Sequence, residues 1–309
     1  MKASHRCRNY SCQGLSPALL RNPSGAATNP LMKPSVSTHL FAFDLLRENH
    51  LRLIAEAGFR YVELWGGTPH FDFDDDAEVA RVQAWLRDAG LSVRTVHLPF
   101  YEHFGQPNFR YISFADADPE GRRLMGERSR RLIDLCGVFD CDCVILHPAG
   151  GQLEDAWGFD HLRRELDWFV PHCAARGVTV ALENIMMPGT RTGELTALCR
   201  EYGPTVRLCL DLGHAHVDGG VVAEIVDGGE QIVALHVHDN DGDEDEHNLP
   251  GRGSIDWPAA LAALAAHAPG VLHFTFELML PITGAADGRY REMLAEARTF
   301  WSTHYGKMA

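Results

Sequence analysis

No CxxC pair occurs among the eight cysteines, and no apolar stretch approaches the roughly 18 uninterrupted residues of a membrane span. Positive charge is scarce: 28 Lys and Arg stand against 42 Asp and Glu, for a net charge of −14. The missing CxxC, with cysteines set in apolar runs such as Asp-Cys141-Asp-Cys143-Val-Ile-Leu and Arg-Leu-Cys209-Leu, argues for reduced, buried thiols and a cytoplasmic location. A small zinc site from His5, Cys7 and Cys12 is the lesser reading. The acidic balance removes any chain-wide footprint for nucleic acid, although a local basic groove is not excluded by it. What remains, 45% apolar and 23% charged over 309 residues, is the composition of a soluble globular protein.

The acids are also unevenly placed. Residues 1–33 hold none, but do hold Lys2, Arg6, Arg8, Arg21 and Lys33, so the remainder carries 23 basic against 42 acidic residues. This leader lacks the apolar core of a signal peptide. We expect residues 1–33 to be a disordered extension, with Met32 as the functional start and residues 34–309 as one domain.

From Ser35 onward, apolar runs of five to eight residues alternate with helical patterns. The runs are Val36–Phe41, Tyr61–Trp65, Ser92–His97, Cys143–His147, Val178–Glu183, Val206–Asp211, Ile232–His238 and Val271–Glu277. Continuous Val, Ile, Leu and aromatic content suits strands buried on both faces. Between them, helical spacing recurs, as in Leu46, His50, Leu53, Ile54 and Ala57. A glycine precedes strand after strand (Gly58, Gly90, Gly137, Gly177, Gly203, Gly270), as expected of helix C-caps. The stretch 220–226 is the weakest helix. Eight such units predict a single-domain (β/α)8 TIM barrel. A doubly wound sheet is disfavoured because Phe41-Ala-Phe-Asp44 is no glycine-rich phosphate turn.

A barrel gathers its chemistry at the C-terminal ends of its strands. Strands three to eight here end in His97, His147, Glu183, Asp211, His238 and Glu277. Buried carboxylates and imidazoles are costly unless paired or bound to a cation. Six in succession therefore predict a divalent metal site. Imidazole and carboxylate without thiolate suit zinc, manganese, iron or cobalt better than magnesium. The loop after strand seven adds Asp245 and His247 as further ligands, and its Pro-Gly-Arg252-Gly turn could meet an anionic substrate group. Strand alternation puts His236 on the same face as His238 but one layer deeper, as a core residue or a support. His216 is a support or a substrate contact. The aromatics after strand three, Phe100 among them, and Trp65 at the end of strand two are read as walls of a small-molecule pocket ahead of a platform on which bases would stack. The arginines at 122, 123, 128, 130 and 131 are read as a solvated helix face.

His-Pro at 147–148, Glu-Asn at 183–184, Leu-Asp-Leu-Gly-His at 210–214, His-Val-His-Asp-Asn-Asp at 236–241 and Asp-Glu-His…Pro-Gly-Arg-Gly at 245–253 together resemble the xylose-isomerase-like TIM barrel superfamily. The resemblance covers about residues 35–305. It implies a metal-dependent isomerase or epimerase of a sugar or sugar phosphate. In that branch one ion is held at the positions of Glu183, Asp211, His238 and Glu277. The two glutamates move a proton through a metal-stabilised enediolate, and the position of His214 contacts substrate oxygens. The superfamily also contains endonuclease IV, a three-zinc enzyme. Its ligand positions correspond to His97, His147, Glu183, Asp211, His214, His238, Asp245, His247 and Glu277, and each carries a suitable residue here. A phosphoesterase with two or three metals is thus the alternative activity, and one to three ions per chain the expected load, zinc or manganese first. The loops after strands one and two hold no Lys or Arg but do hold Asp72, Asp74, Asp75 and Asp76, which speaks against a DNA partner. A homo-oligomer remains open.

Overall fold

Two apolar faces and a helix after each strand leave few ways to satisfy every backbone group, and the computed structural model, which describes residues 32–105, 109–150 and 159–305, adopts the simplest of them. Eight parallel strands close in sequence order into a barrel. They are β1 (Lys33–Ser37), β2 (Tyr61–Trp65), β3 (Ser92–His97), β4 (Cys143–Leu146), β5 (Thr179–Glu183), β6 (Val206–Asp211), β7 (Ile232–Val237) and β8 (His273–Phe276). Outside them run α1 (Glu48–Glu56), α2 (Asp76–Ala89), α3 (Pro119–Phe139), α4 (Phe159–Ala174), α5 (Thr192–Tyr202), α6 (Leu212–Val217), α7 (Val221–Gly228), α8 (Trp257–His267) and α9 (Asp287–His304). The chain is a single (β/α)8 TIM barrel.

Alternation along each strand sorts the side chains. Val144, Leu146, Val180, Leu182, Leu208, Leu210, Leu235 and Val237 point outward and pack with helix residues into one continuous buried cluster. Ile145, Ala181, Cys209 and Ala234 point inward and form a separate small cluster on the axis. One residue further along the same inner face, polarity changes: Glu183, Asp211, His236 and Glu277 are all buried. The sequence periodicity that makes the strands therefore also delivers the ionisable layer to the barrel mouth.

Several strands are one or two residues shorter than the sequence reading, and three departures are larger or change a residue's role. The first strand stops at Ser37, whose side chain accepts a hydrogen bond from the backbone N–H of His39 and starts a 3-10 turn over Thr38–Phe41. Gly137 lies inside α3, and the left-handed position after that helix is taken by Asp140 (φ 53°), a residue type that tolerates it. Gly270 has no positive φ, because α8 is closed at Ala268 by a bond to Leu264 O. At Gly58, Gly90, Gly177 and Gly203 the φ values of 66–89° agree with the expected role. The weak helix exists as α7. The six described cysteines are free thiols, five of them buried. Cys7, Cys12 and the leader up to Leu31 lie outside the described residues. The basic face of α3 is largely engaged: Arg122 with Glu165, Arg123 with Glu120 and Glu127, Arg131 with Asp76, and Arg130 over the Trp168 ring. Among the described residues no helix is long and apolar enough to cross a membrane.

Candidate metal centre

Four strand ends deliver four buried donors to one point. Ligand atoms of Glu183, Asp211, His236 and Glu277 lie within 4.8 Å of one another. His236 Nδ1 is 2.9 Å from Glu183 Oε1 and 3.3 Å from Glu277 Oε2. On its far side, His236 Nε2 donates to Glu63 Oε2 at 3.0 Å, and Thr95 Oγ1 donates to the same oxygen at 2.7 Å. A carboxylate behind an imidazole fixes its tautomer and strengthens the nitrogen that faces inward. Two further groups adjoin the first: Asp211 with His214 and His238, and His238 with Asp245 and His247.

Three other imidazoles are aimed by backbone carbonyls. His97 Nδ1 donates to Leu98 O, His214 Nδ1 to Asn184 O and His247 Nδ1 to Glu277 O, at 2.7–2.8 Å. Their Nε2 atoms consequently face carboxylates: Glu183 at 3.2 Å from His97, and Asp245 at 3.3 and 3.1 Å from His214 and His247. His147 Nε2 lies 3.1 Å from Glu183 Oε2. Asn184 locks β5 to β6 by accepting from the Asp211 N–H and donating to the Asp211 carbonyl. Asp211 in turn accepts from the His214 N–H and caps α6. Gly213 between them is required by space: a Cβ there would sit 1.9 Å from the His238 ring.

The electrostatics are mutual. Burial would push the Glu183 carboxyl up, but the His236 and His147 imidazoles outweigh it and hold it well below the usual carboxylate range. Burial dominates at Glu277, with the Glu183 charge adding to it, and raises that carboxyl. Burial is likewise outweighed at His236 and His214, whose neighbouring anions lift both imidazoles well above their ordinary value. Asp245 does the same for His247, lifting it to about 9 against the effect of burial. At His147 burial prevails and lowers it. Four buried carboxylates, Glu63, Glu183, Asp211 and Glu277, and the partly exposed Asp245 thus crowd one mouth and favour positive charge there. His238 Nδ1 and Asp245 Oδ1 are buried with no hydrogen-bond partner. Nitrogen and oxygen donors, converging and partly orphaned, fit one or more divalent cations.

All nine residues read from strand ends and the following loop converge on this mouth. The difference lies in β7. His236, not His238, joins Glu183, Asp211 and Glu277, while His238 serves the two adjoining groups. Glu63, which supports His236, was not singled out in the sequence. Its signal was a carboxylate at an inward position in an apolar strand, Tyr-Val-Glu-Leu-Trp.

The surrounding residues divide. Phe100 stacks on His147 (centroids 4.1 Å, 22°) and lies 5.3 Å from His97, so it walls the site. Trp65 is buried among His39, His70, Phe100 and Phe104, with its ring edge-to-face with both phenylalanines. His216 Nδ1 donates to Asn240 Oδ1 at 2.7 Å and braces the loop after β7. Arg252 reaches outward to Glu296 on α9, so its guanidinium is exposed and paired rather than turned to the mouth. The Pro-Gly-Arg-Gly turn instead packs against Asp239, which accepts from the N–H groups of Gly251 and Ile255 and from Trp257 Nε1. Gly253 is needed there because a Cβ would meet Asn240 O at 2.2 Å.

A closed parallel barrel with a buried ring of imidazoles and carboxylates at its strand ends defines a class of site as well as a fold. Residues 51–294 match the family described as xylose isomerase-like TIM barrel, and the chain belongs to that family. An uncharacterised protein of Sinorhizobium fredii, y4fM, is 28% identical over 255 residues, covering 74% of this chain and 80% of that one. Fructoselysine 3-epimerase of Shigella flexneri is 22% identical over 218 residues, covering 67% and 76%. Among solved structures, D-psicose 3-epimerase superposes with a TM-score of 0.68 at 16% identity, over 89% of this chain and 100% of that one.

Proposed function

We propose that the protein is a divalent-metal-dependent isomerase or epimerase of a sugar. The observation that carries this is the group Glu183, Asp211, His236 and Glu277, two of whose carboxylates can exchange protons with a carbon between them. Support comes from the family membership and from relatives whose names are those of sugar epimerases. A bound divalent cation, zinc or manganese first, would neutralise charge that develops on the substrate's carbonyl oxygen when the adjacent C–H loses its proton. One of Glu183 and Glu277 removes that proton; the other returns one, to the opposite face of the same carbon or to its neighbour. His214 holds a substrate hydroxyl, and Phe100 covers the sugar and excludes water. His236 is kept in register by Glu63.

A second reading, a phosphoesterase with two or three metals, rests on the adjoining groups of Asp211, His214, His238, Asp245 and His247. It meets a shortage at the mouth: Arg110 is held by Glu102 and Asp118, Arg191 lies beside Asp218, and Arg252 by Glu296. A phosphodiester backbone needs such cations free.

Incubation with a ketose in D2O and manganese or zinc tests the first reading. Deuterium incorporation at a carbon next to the carbonyl, abolished by a chelator, is expected. Hydrolysis of an abasic-site duplex with no such incorporation would transfer the assignment to the second.

A further inference from the structure

Above the ionisable floor, a cavity of about 460 Å³ opens between the loop that follows β3 and the loop that follows β5. Its floor is polar: His147, His214 and Asp245. Its walls are not. One is Phe100, Tyr101 and Tyr111; the other is Ile185, Met186, Met187 and Pro188. Tyr111 and Met186 are each 37% exposed, and Phe109, packed 5.8 Å from Tyr111, is 45% exposed. Three of the large exposed apolar side chains of the described surface therefore stand around one opening, the pattern of a binding surface rather than of scattered exposure. Among the described residues, no Lys or Arg lines the cavity. Arg128, which reaches toward the loop after β3, is occupied by the carbonyls of Tyr101 and Glu102.

We infer that the substrate is an unphosphorylated sugar bearing an apolar substituent, which lies between the aromatic wall and the Met186–Met187 wall while its carbonyl end faces the floor. This rests on the sugar isomerase or epimerase reading. Two costs select it. A phosphate dianion here would meet Asp245 and apolar surface, with no Lys or Arg fork among the described lining residues to hold it. A bare ketose would place its outer hydroxyls against Ile185, Met186 and Pro188, losing water without gaining hydrogen bonds. An aryl or alkyl group in that position buries apolar area instead, and the flexible thioethers of two methionines adapt to its shape. The substituent must leave the carbonyl free, so it is carried at the chain terminus next to the carbonyl or at the far one.

The test is calorimetric titration of the manganese-loaded full chain with D-fructose, its 1-O-benzyl and 6-O-benzyl ethers, and its 1- and 6-phosphates. One ether is expected to bind about tenfold or more tighter than D-fructose, and both phosphates no tighter than D-fructose. In a Tyr111→Ser/Met186→Ser variant, with both positions partly exposed and circular dichroism as the check on folding, the advantage of the ether should shrink to about threefold or less. A phosphate that binds more tightly than both ethers, ethers no tighter than D-fructose, or an advantage unchanged in the variant would each overturn the inference. Deuterium exchange on the same compounds separates it from the reading beneath it. Exchange without ether preference sinks this inference alone; tight ether binding without exchange on any compound sinks the isomerase reading and leaves the pocket's preference standing.

Discussion

Buried histidines lie on both sides of the barrel mouth, and they are in opposite states. On the side of β1 and β2, His39, His50 and His70 are packed among aromatic rings: His50 stacks on Phe41 at 4.3 Å, and His39 and His70 flank Trp65. Burial dominates there, lowering His50 and His70 to about 4 and His39 well below its ordinary value. On the arc from β3 to β8, burial is as complete, but carboxylates face the rings, and His97, His214, His236 and His247 are all raised. An imidazole in a barrel mouth is therefore not a ligand by burial or position alone. A carboxylate opposite the ring overrides burial at His97, His214, His236 and His247, but not at His147, where burial outweighs Glu183.

The sharpest way to break this contrast is to remove charge from the carboxylate that touches the most rings. Glu183 meets His97, His147 and His236. Glu183→Gln keeps the shape and deletes both a proton carrier and a donor to the cation. Deuterium exchange into a ketose should fall by about 10³-fold or more, with the barrel's circular dichroism retained. Exchange within about tenfold of the unaltered protein would remove Glu183 from the reaction.

The packed side gives the next largest effect, and it is a stability effect. His70 donates from Nδ1 to Asp44 O at 2.8 Å, and its Nε2 is buried with no partner, so the folded ring stays neutral. Its folded pKa is about 4 against an ordinary 6.5. Between those values the unfolded chain binds a proton that the folded chain does not. Stability is thus full above about pH 6.5, falls as the pH drops toward 4, and has lost about 3 kcal/mol from this residue at the lower end. The loss of stability across that window, followed by urea unfolding, should be larger by this amount in the unaltered protein than in His70→Gln. Equal losses would mean that the ring is protonated in place.

How much of this was legible in the sequence follows from the same contrast. The barrel was, because each strand's outward Val and Leu and each connecting helix repeat on a fixed pattern. The arc of imidazoles and carboxylates was, because strand ends such as Val144-Ile-Leu-His147 place a polar residue where alternation demands an inward side chain. The choice between His236 and His238 was not. Both point inward, and alternation fixes the face but not the height at which Glu183, Asp211 and Glu277 converge, which depends on barrel stagger and on the register shift between Leu208 and Cys209 of β6. Arg252 misled for a related reason: the turn beside it suggests an anion cradle, but Asp239 already takes the N–H of Gly251 in the turn and that of Ile255 just after it.

Glu63 sits where the two sides meet, and it tests whether the boundary is real. It belongs to β2, on the packed side, yet its carboxylate reaches across the axis to His236 Nε2 at 3.0 Å and is itself buried. Burial would raise this carboxyl, but the charge of and hydrogen bond from His236 outweigh that and lower it. Its Oε1 has no partner, so only one oxygen is used. Glu63→Gln can retain the hydrogen bond to His236 through its amide oxygen while removing the charge that favours an inward-facing, electron-rich Nδ1. Loss of a carboxylate behind a metal-facing histidine costs about 10- to 100-fold in metal affinity elsewhere. The expected outcome here is a manganese or zinc dissociation constant weaker by about that factor, with the thermal midpoint of the metal-free protein little changed. A purely structural carboxylate would give the reverse: an unchanged dissociation constant and a lowered metal-free midpoint. That result would return Glu63, and with it His236, to the packed side.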